Sequence, residues 1–455
     1  KSAESSCLGI RLSLLPCGCT SLFVGCQGND EVDKNITEIK DNKVTLTVLT
    51  NRTDIVNTDL KAFSDKYTEN NPNVKIEWQG ITDYEGDTKV RLNSSDYGDV
   101  LLIPNSLPVS ELLTYFEPLG KSTDSEIKDY KSNTNKAVYD EESGEYTVYG
   151  LTYGLGAEGI VYNKAAFKEA GIEELPKTLD ELYEAAEKLK EVGIIPLATN
   201  FNDKWPLKEW FMYGWMLSGN QNYKNESYNE KDIFASDKPL GKSLDVLYEF
   251  VSNGWVEEDL ATTNWEQSKV DLANGKIAMA ILGTWAIPQV QSLAENSEDI
   301  GFMPVPTEDG TLYSVCSPDW ALAVSNKSKH KDEAKDFLYA FLKSDYADVN
   351  GFIPAKEGIE SNNTVIKEFL ESGVTTLVEE PATVEQEGKF DLITNEGSID
   401  IWGGTFVQDS ALAAKRSREE FEKEVDKLNN SWNKAQECRR DRTPHQRRTL
   451  WRGAC

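Results

Sequence analysis

Gly150-Leu151-Thr152-Tyr153-Gly154-Leu155-Gly156-Ala157-Glu158-Gly159-Ile160-Val161-Tyr162-Asn163-Lys164 is the stretch on which the reading of this chain turns. Two apolar runs with strand character, residues 146–153 and 160–162, flank a glycine-rich bend. Gly154, Gly156 and Gly159 allow backbone conformations that a side chain forbids. Their spacing is G-x-G-x-x-G, that of a dinucleotide-binding loop. Such a loop needs a helix opening at its third glycine, because the helix N-terminus holds the pyrophosphate. Here Ile160-Val161-Tyr162 is strand-like instead, and Glu158 would set a carboxylate beside a phosphate. The stretch therefore reads as a crossing between two sheets, with Glu158 at a hinge facing a cleft.

Upstream, residues 44–49 alternate Val and Leu with Thr and predict a strand. It ends in a polar cluster that includes Asn51, Arg52 and Asp54. A helix with Leu60, Phe63 and Tyr67 on one face follows and stops at Asn70-Asn71-Pro72. Residues 74–78 and 99–103 predict further strands, the latter ending at Pro104-Asn105-Ser106. This β-α-β rhythm argues for a mostly parallel α/β sheet. Ligands of such sheets bind beyond the carboxyl ends of the strands. That rule places Asn51, Arg52, Asp54, Asn105 and Ser106 near one another.

Downstream, Thr178 with Glu181 forms a capping-box pattern, and Leu179, Leu182, Tyr183, Ala186 and Leu189 repeat at helical spacing up to Gly193. Residues 197–215 mix aromatics with polar groups such as Asn200, Asn202 and Asp203. Phe211 and Trp215 read as core, whereas Trp205 precedes Pro206, where the chain is not yet helical, and is a cleft candidate. Residues 277–282 read as a buried strand ending at Gly283-Thr284-Trp285. The glycine clears space beside a large ring, which suits a ligand platform. Trp320, after Ser317-Pro318-Asp319, is a second such ring. Ser328 reads as the cap of a helix carrying Ala334, Phe337, Leu338, Phe341 and Leu342. Phe421, Val425, Leu428 and Trp432 make the last helix amphipathic.

The net charge is -29 over 455 residues, and both ends are net positive, so the body is more acidic still. Such a body repels nucleic acid and anionic lipid and disfavours an anionic ligand. Of the seven cysteines only Cys316 lies inside the body, as a buried small residue, so there is no disulfide framework or metal-ligand spacing. The two histidines, His330 and His445, offer no Ser-His-Asp, Cys-His or zinc site. No cofactor or metal is expected. A carboxylate pair for glycoside hydrolysis is the enzyme alternative, because acids are plentiful. The positive signal is aromatic and amide richness at strand ends. A sugar ring stacks its C–H face on Trp or Tyr, and Asn, Asp, Glu and Arg fix its hydroxyls.

At the ends, residues 12–26 form a short apolar run closing on Phe23-Val24-Gly25-Cys26. The run resembles a bacterial lipoprotein signal (residues 1–25), in which Cys26 is lipidated. Residues 26–42 then form a polar tether. Residues 437–455, crowded with Arg439, Arg440, Arg442, Arg447, Arg448 and Arg452, read as an extraneous basic tail.

Tyr162-Asn163-Lys164, Phe167, Ala170-Gly171-Ile172, Pro176, Thr178 and Gly193-Ile194-Ile195-Pro196 resemble the signature of extracellular solute-binding proteins of sugar ABC importers, maltose- and multiple-sugar-binding-protein-like. So do Trp265, residues 272–279, Gly283-Thr284-Trp285, Ser325-Asn326-Lys327-Ser328 with Glu333-Ala334, and Ile353-Pro354-Ala355, in order over about residues 44–433. The resemblance implies a two-lobed α/β fold of the type II periplasmic-binding-protein kind, with a hinge and an interlobe cleft. On that pattern one lobe is 43–154 plus 315–356 and the other 155–314 plus 357–436. Glu158 matches the family's ligand-contacting acid and Trp285 its stacking aromatic. Asp54 and Asn105 match strand-end contacts, and Trp402 or Phe406 a further aromatic. The implied function is a monomeric, non-enzymatic receptor for a carbohydrate, usually an oligosaccharide. It would be lipid-anchored on the outer face of a bacterial cytoplasmic membrane and would serve ABC permease subunits. A stand-alone surface glycan binder is the other non-enzymatic reading.

Overall fold

The computed structural model describes residues 43–440, apart from Asp83, Ser95, Ser106, Ser132, Thr134, Pro381, Val384 and Glu387. Ser106, the run ending at Cys26 and residues 441–455 lie outside the described residues.

Two open sheets organise the chain. The first orders its strands Val74–Gly80, Val44–Thr50, Val100–Leu102, Ala321–Val324 and Gly150–Thr152. The opening three are parallel, as the β-α-β rhythm requires, and Ala321–Val324 runs antiparallel between Val100–Leu102 and Gly150–Thr152. Leu46, Val48, Val100 and Leu101 are buried under the helix Lys331–Leu342, whose Phe337 and Phe341 close that core. The second sheet is built on Gly154–Asn163, which pairs antiparallel with Tyr313–Pro318, Ile277–Gly283, Ile300–Met303 and Ile353–Pro354. Thr375–Val378 and Ile195–Ala198 form its edges in parallel pairings. Helices Leu179–Glu191, Glu209–Ser218, Pro239–Ser252 and Arg418–Arg440 enclose a core around Phe211, Trp215, Phe250, Phe421 and Trp432. The capping box is present: Thr178 accepts from the backbone of Glu181, and the Glu181 side chain accepts from the backbone of Thr178. Gly193, at φ 83°, ends that helix in the left-handed region that only glycine takes freely.

The chain changes sheet at Tyr153, again at Asp319–Trp320, and a third time when Ile353–Pro354 joins the strand at Leu155 and Gly154. Before the second change, Cys316, Ser317 and Pro318 pair with Ala157, Gly156 and Leu155.

Three expectations need correction. The glycine-rich stretch is not a bend: Gly154–Asn163 is one continuous buried strand. Its glycines serve close approach rather than turning. A Cβ on Gly154 would lie 2.6 Å from Cβ of Phe352, and one on Gly159 would lie 2.6 Å from the Met303 carbonyl. Ser328 does not cap the next helix, which opens at Lys331; its hydroxyl donates to Asp99 at 2.6 Å instead. The last helix continues past 436 to Arg440, held by the Gln436 amide donating to the Tyr228 and Glu230 carbonyls at 2.7 and 2.6 Å.

Candidate functional site

The strand Ile277–Gly283 ends at Thr284, where the chain turns through a short 3-10 segment into the helix Ile287–Gln291. Trp285 sits at that corner. A Cβ on Gly283 would lie 2.3 Å from its Nε1 and 3.1 Å from Oε2 of Glu158, and one on Gly156 would lie 3.5 Å from its Cδ1. The indole therefore lies across two bare glycine positions, with the Glu158 carboxyl beside it. Thr284 Oγ1 accepts from the backbone N–H of Ala157 at 3.2 Å, which pins the corner to the crossing strand.

Trp205 and Trp265 complete a cluster with Trp285. The centroids are 5.5 Å apart for Trp205–Trp265, 5.7 Å for Trp205–Trp285 and 6.0 Å for Trp265–Trp285. All three rings are half-buried. Asp203 accepts from the backbone N–H of Trp265, so its carboxylate fixes the cluster's third ring. Trp265 was not among the candidates; its signal was its place in a family-like segment.

Beneath Trp285 the site is acidic. Glu158 and Glu209 are buried, Asp319 is half-buried beside them, and the partly exposed Lys208 places its amine 3.5 Å from Oε1 of Glu209. Burial, and then the charge of Glu209, hold Glu158 well above the usual carboxylate range. Burial opposes the charge on Lys208, but Glu209 and Glu158 outweigh it and hold the amine above its ordinary value. Asp319 accepts from the Tyr153 hydroxyl, joining the first two sheet changes. Tyr153 lies edge-on to Tyr346 at 4.9 Å, and Arg52 donates to the Tyr346 hydroxyl at 3.4 Å and to Asn350 Oδ1 at 2.7 Å. A Cβ on Gly351 would lie 2.5 Å from the Thr284 carbonyl, so the approach to the third crossing abuts the Trp285 corner. Lys208, Glu209, Asp319, Tyr153, Tyr346 and Asn350 were all missed from sequence.

The strand-end candidates fall into separate groups. Arg52 grips Asp54 through two bonds, Nε at 2.9 Å and Nη2 at 2.8 Å. Burial disfavours its charge, but Asp54 more than offsets this. Oδ1 of Asn51 is enclosed without a hydrogen-bond partner among the described residues. Asn105 is exposed, and its backbone N–H donates to Glu85 at 2.9 Å. Trp320 is half-buried, edge-on to Tyr84 at 5.3 Å. Trp402 is 43% exposed, with Nε1 on Asp391 at 2.9 Å and the Lys224 amine 5.3 Å from its ring centroid. Phe406 is 6% exposed and packs on Phe234, so Trp402 is the surface aromatic of the two. Burial, and then the charge of Lys224, push the Lys136 amine down to about 8, against the pull of Glu85 and Glu379. Among the described residues no cluster of His, Cys, Asp or Glu could hold a metal.

Two open α/β sheets, joined where the chain crosses between them and carrying aromatics and buried carboxyls at the crossings, define a two-lobed binding protein with its cleft at the hinge. Residues 50–348 match the model of the bacterial extracellular solute-binding proteins, and the chain belongs to that family. It resembles an ABC-transporter binding protein from Bifidobacterium animalis subsp. lactis, solved with mannobiose. The identity is 32%, the TM-score 0.77, and the match covers 88% of this chain and 96% of that one. A manno-oligosaccharide specific solute-binding protein of the same strain, solved with mannotriose, is 30% identical at TM-score 0.77 over the same shares. The multiple sugar-binding protein of Streptococcus mutans is 25% identical over 372 residues, covering 79% of this chain and 85% of that protein. These relatives are binding proteins.

Proposed function

We propose that this chain is the sugar receptor of an ABC importer and that it takes a short, neutral, mannose-based oligosaccharide. The observation that carries the reading is Trp285 laid across Gly283 and Gly156 beside Glu158. An indole face held next to a carboxyl is what a sugar ring needs, the C–H face stacking and a hydroxyl meeting the acid. Trp205 and Trp265 extend the aromatic surface, and Trp402 offers a separate ring. An acidic chain also suits an uncharged ligand. Mannobiose and mannotriose in the relatives above support the choice of sugar. The lobes divide at Tyr153, at Asp319–Trp320 and near Ile353, and the protein works as a monomer with permease subunits as its partners.

Calorimetric titration of mannobiose, mannotriose and raffinose tests this. The mannosides should bind with the higher affinity and raise the melting temperature, since a ligand of the folded state alone stabilises it. Failure of all three to bind would remove the reading. The mannotriose should come back intact. Retaining and inverting glycosidases hold their two carboxyls about 5 Å or more apart. Glu158 and Glu209 instead meet directly, so neither has the room to act. Steady release of shorter sugars would overturn this part.

The receptor is held at the cell surface through lipid on Cys26, supported by the apolar run that ends there. Native protein should begin at a lipid-modified Cys26 by intact mass. An unmodified chain running through Cys26 would refute the anchor.

A further inference from the structure

Glu209 opens the helix Glu209–Ser218 and is 1% exposed, yet neither of its carboxyl oxygens has a hydrogen-bond partner among the described residues. Oε2 of Glu158, on the crossing strand, is in the same position. The two carboxyl groups meet each other. The groups that face them are few. Lys208 precedes Glu209, its amine 3.5 Å from Oε1, with a side chain one-third exposed. Asp319, at the second crossing, is tied to Tyr153. Cys316, across from Ala157, carries a buried thiol. Among the described residues Lys208 is the cation facing Glu158 and Glu209, while Asp319 also feels Arg52.

Two carboxylates in contact and out of water cannot both ionise, and the only hydrogen bond open between them needs a proton on one. We propose that Glu158 and Glu209 hold one proton between them and that binding of the sugar is linked to it, Glu209 acting as a positioning residue for Glu158. The inference rests on the sugar-receptor reading. The shared proton fixes the Glu158 carboxyl in one orientation, with one oxygen turned to Glu209 and the other left for a ligand hydroxyl. Burial and the neighbouring carboxyl both favour keeping the proton. A sugar seated over the pair deepens its burial and further disfavours charge, so the bound form keeps its proton to higher pH than the free form. Affinity is therefore level while the free pair is protonated. It then falls with rising pH, by at most about tenfold per pH unit, with up to one proton taken up per sugar. It levels again once the bound pair also ionises.

The test is calorimetric titration with mannotriose from about pH 5 to about pH 9, in buffers of different ionisation enthalpy, so that the proton count is read directly. The wild type should take up a proton over the range in which its affinity falls. Glu209→Gln supplies a fixed amide donor to an ionised Glu158, so it should still bind and show neither the fall nor the uptake. No proton uptake by the wild type at any pH, or an unchanged profile in Glu209→Gln, overturns the proposal. The wild-type count needs no variant to fold. Infrared spectra of the sugar-free protein separate this from the receptor reading. A protonated-carboxyl band at neutral pH that Glu209→Gln removes supports the pair even if mannotriose fails to bind. Absence of that band in the wild type refutes the pair whatever the sugar does.

Discussion

Trp285→Ala is expected to weaken sugar binding by about 2 kcal/mol or more, some thirtyfold in affinity, and to cost less than that in folding stability. The ring supplies stacking and apolar area to the ligand together, and its loss removes both. It is packed against Trp205, Trp265 and the glycine floor but keeps part of its surface open, as a core ring does not. A core tryptophan behaves differently. Trp215 is 1% exposed within the second core, and Trp215→Ala should cost about 3–5 kcal/mol of stability. The two variants form an internal comparison, with titration of mannotriose and denaturant melts on each. Unchanged affinity in Trp285→Ala, with a stability loss equal to that of Trp215→Ala, would make Trp285 a corner-packing residue and take the platform away.

Much of the scaffold was legible because periodicity and capping are local. The first strand, the helix after it and the capping box at Thr178 each depend on neighbours within a few residues, and each stands within a residue or two of where pattern put it. Trp285 was legible for a similar reason: a buried strand, a glycine and a ring are consecutive. The acidic floor was not. Glu209 looks like an ordinary first-turn acid, and Asp319 like a loop residue. They meet Glu158 only because the crossings bring three distant segments together. The glycines of the opening stretch misled for the opposite reason. Glycine is permissive of bends, so a cluster reads as one. Here Gly154 and Gly159 are needed for the bulk they lack beside Phe352 and Met303, whereas a Cβ on Gly156 would only touch Trp285 at 3.5 Å. Sequence alone does not separate the two uses.

The second large effect is expected at Gly404. It precedes the helix Thr405–Arg416 at φ 77°, and a Cβ there would fall 2.1 Å from the Lys204 carbonyl oxygen and 2.9 Å from Cβ of Leu207. Lys204 cannot readily give way, being itself at φ 64° at the start of the turn that carries Trp205. Gly404→Ala therefore combines a left-handed backbone, costing about 1 kcal/mol, with overpacking against a main-chain atom, costing about 1–3 kcal/mol more. The segment forced aside is the one that holds Trp205, Lys208 and Glu209, so affinity for mannotriose should fall along with stability. Gly373 isolates the two terms. It sits at φ 87° with no atom of the described residues beyond its chain neighbours within 4 Å of its would-be Cβ, so Gly373→Ala should carry the backbone cost alone and leave binding untouched. Denaturant melts should then place Gly404→Ala about 1–3 kcal/mol below Gly373→Ala. Equal melts would mean that the contact between residues 404 and 204 yields freely. A full loss of stability with unchanged affinity would mean that the turn from Lys204 to Glu209 does not set the geometry of the aromatic cluster.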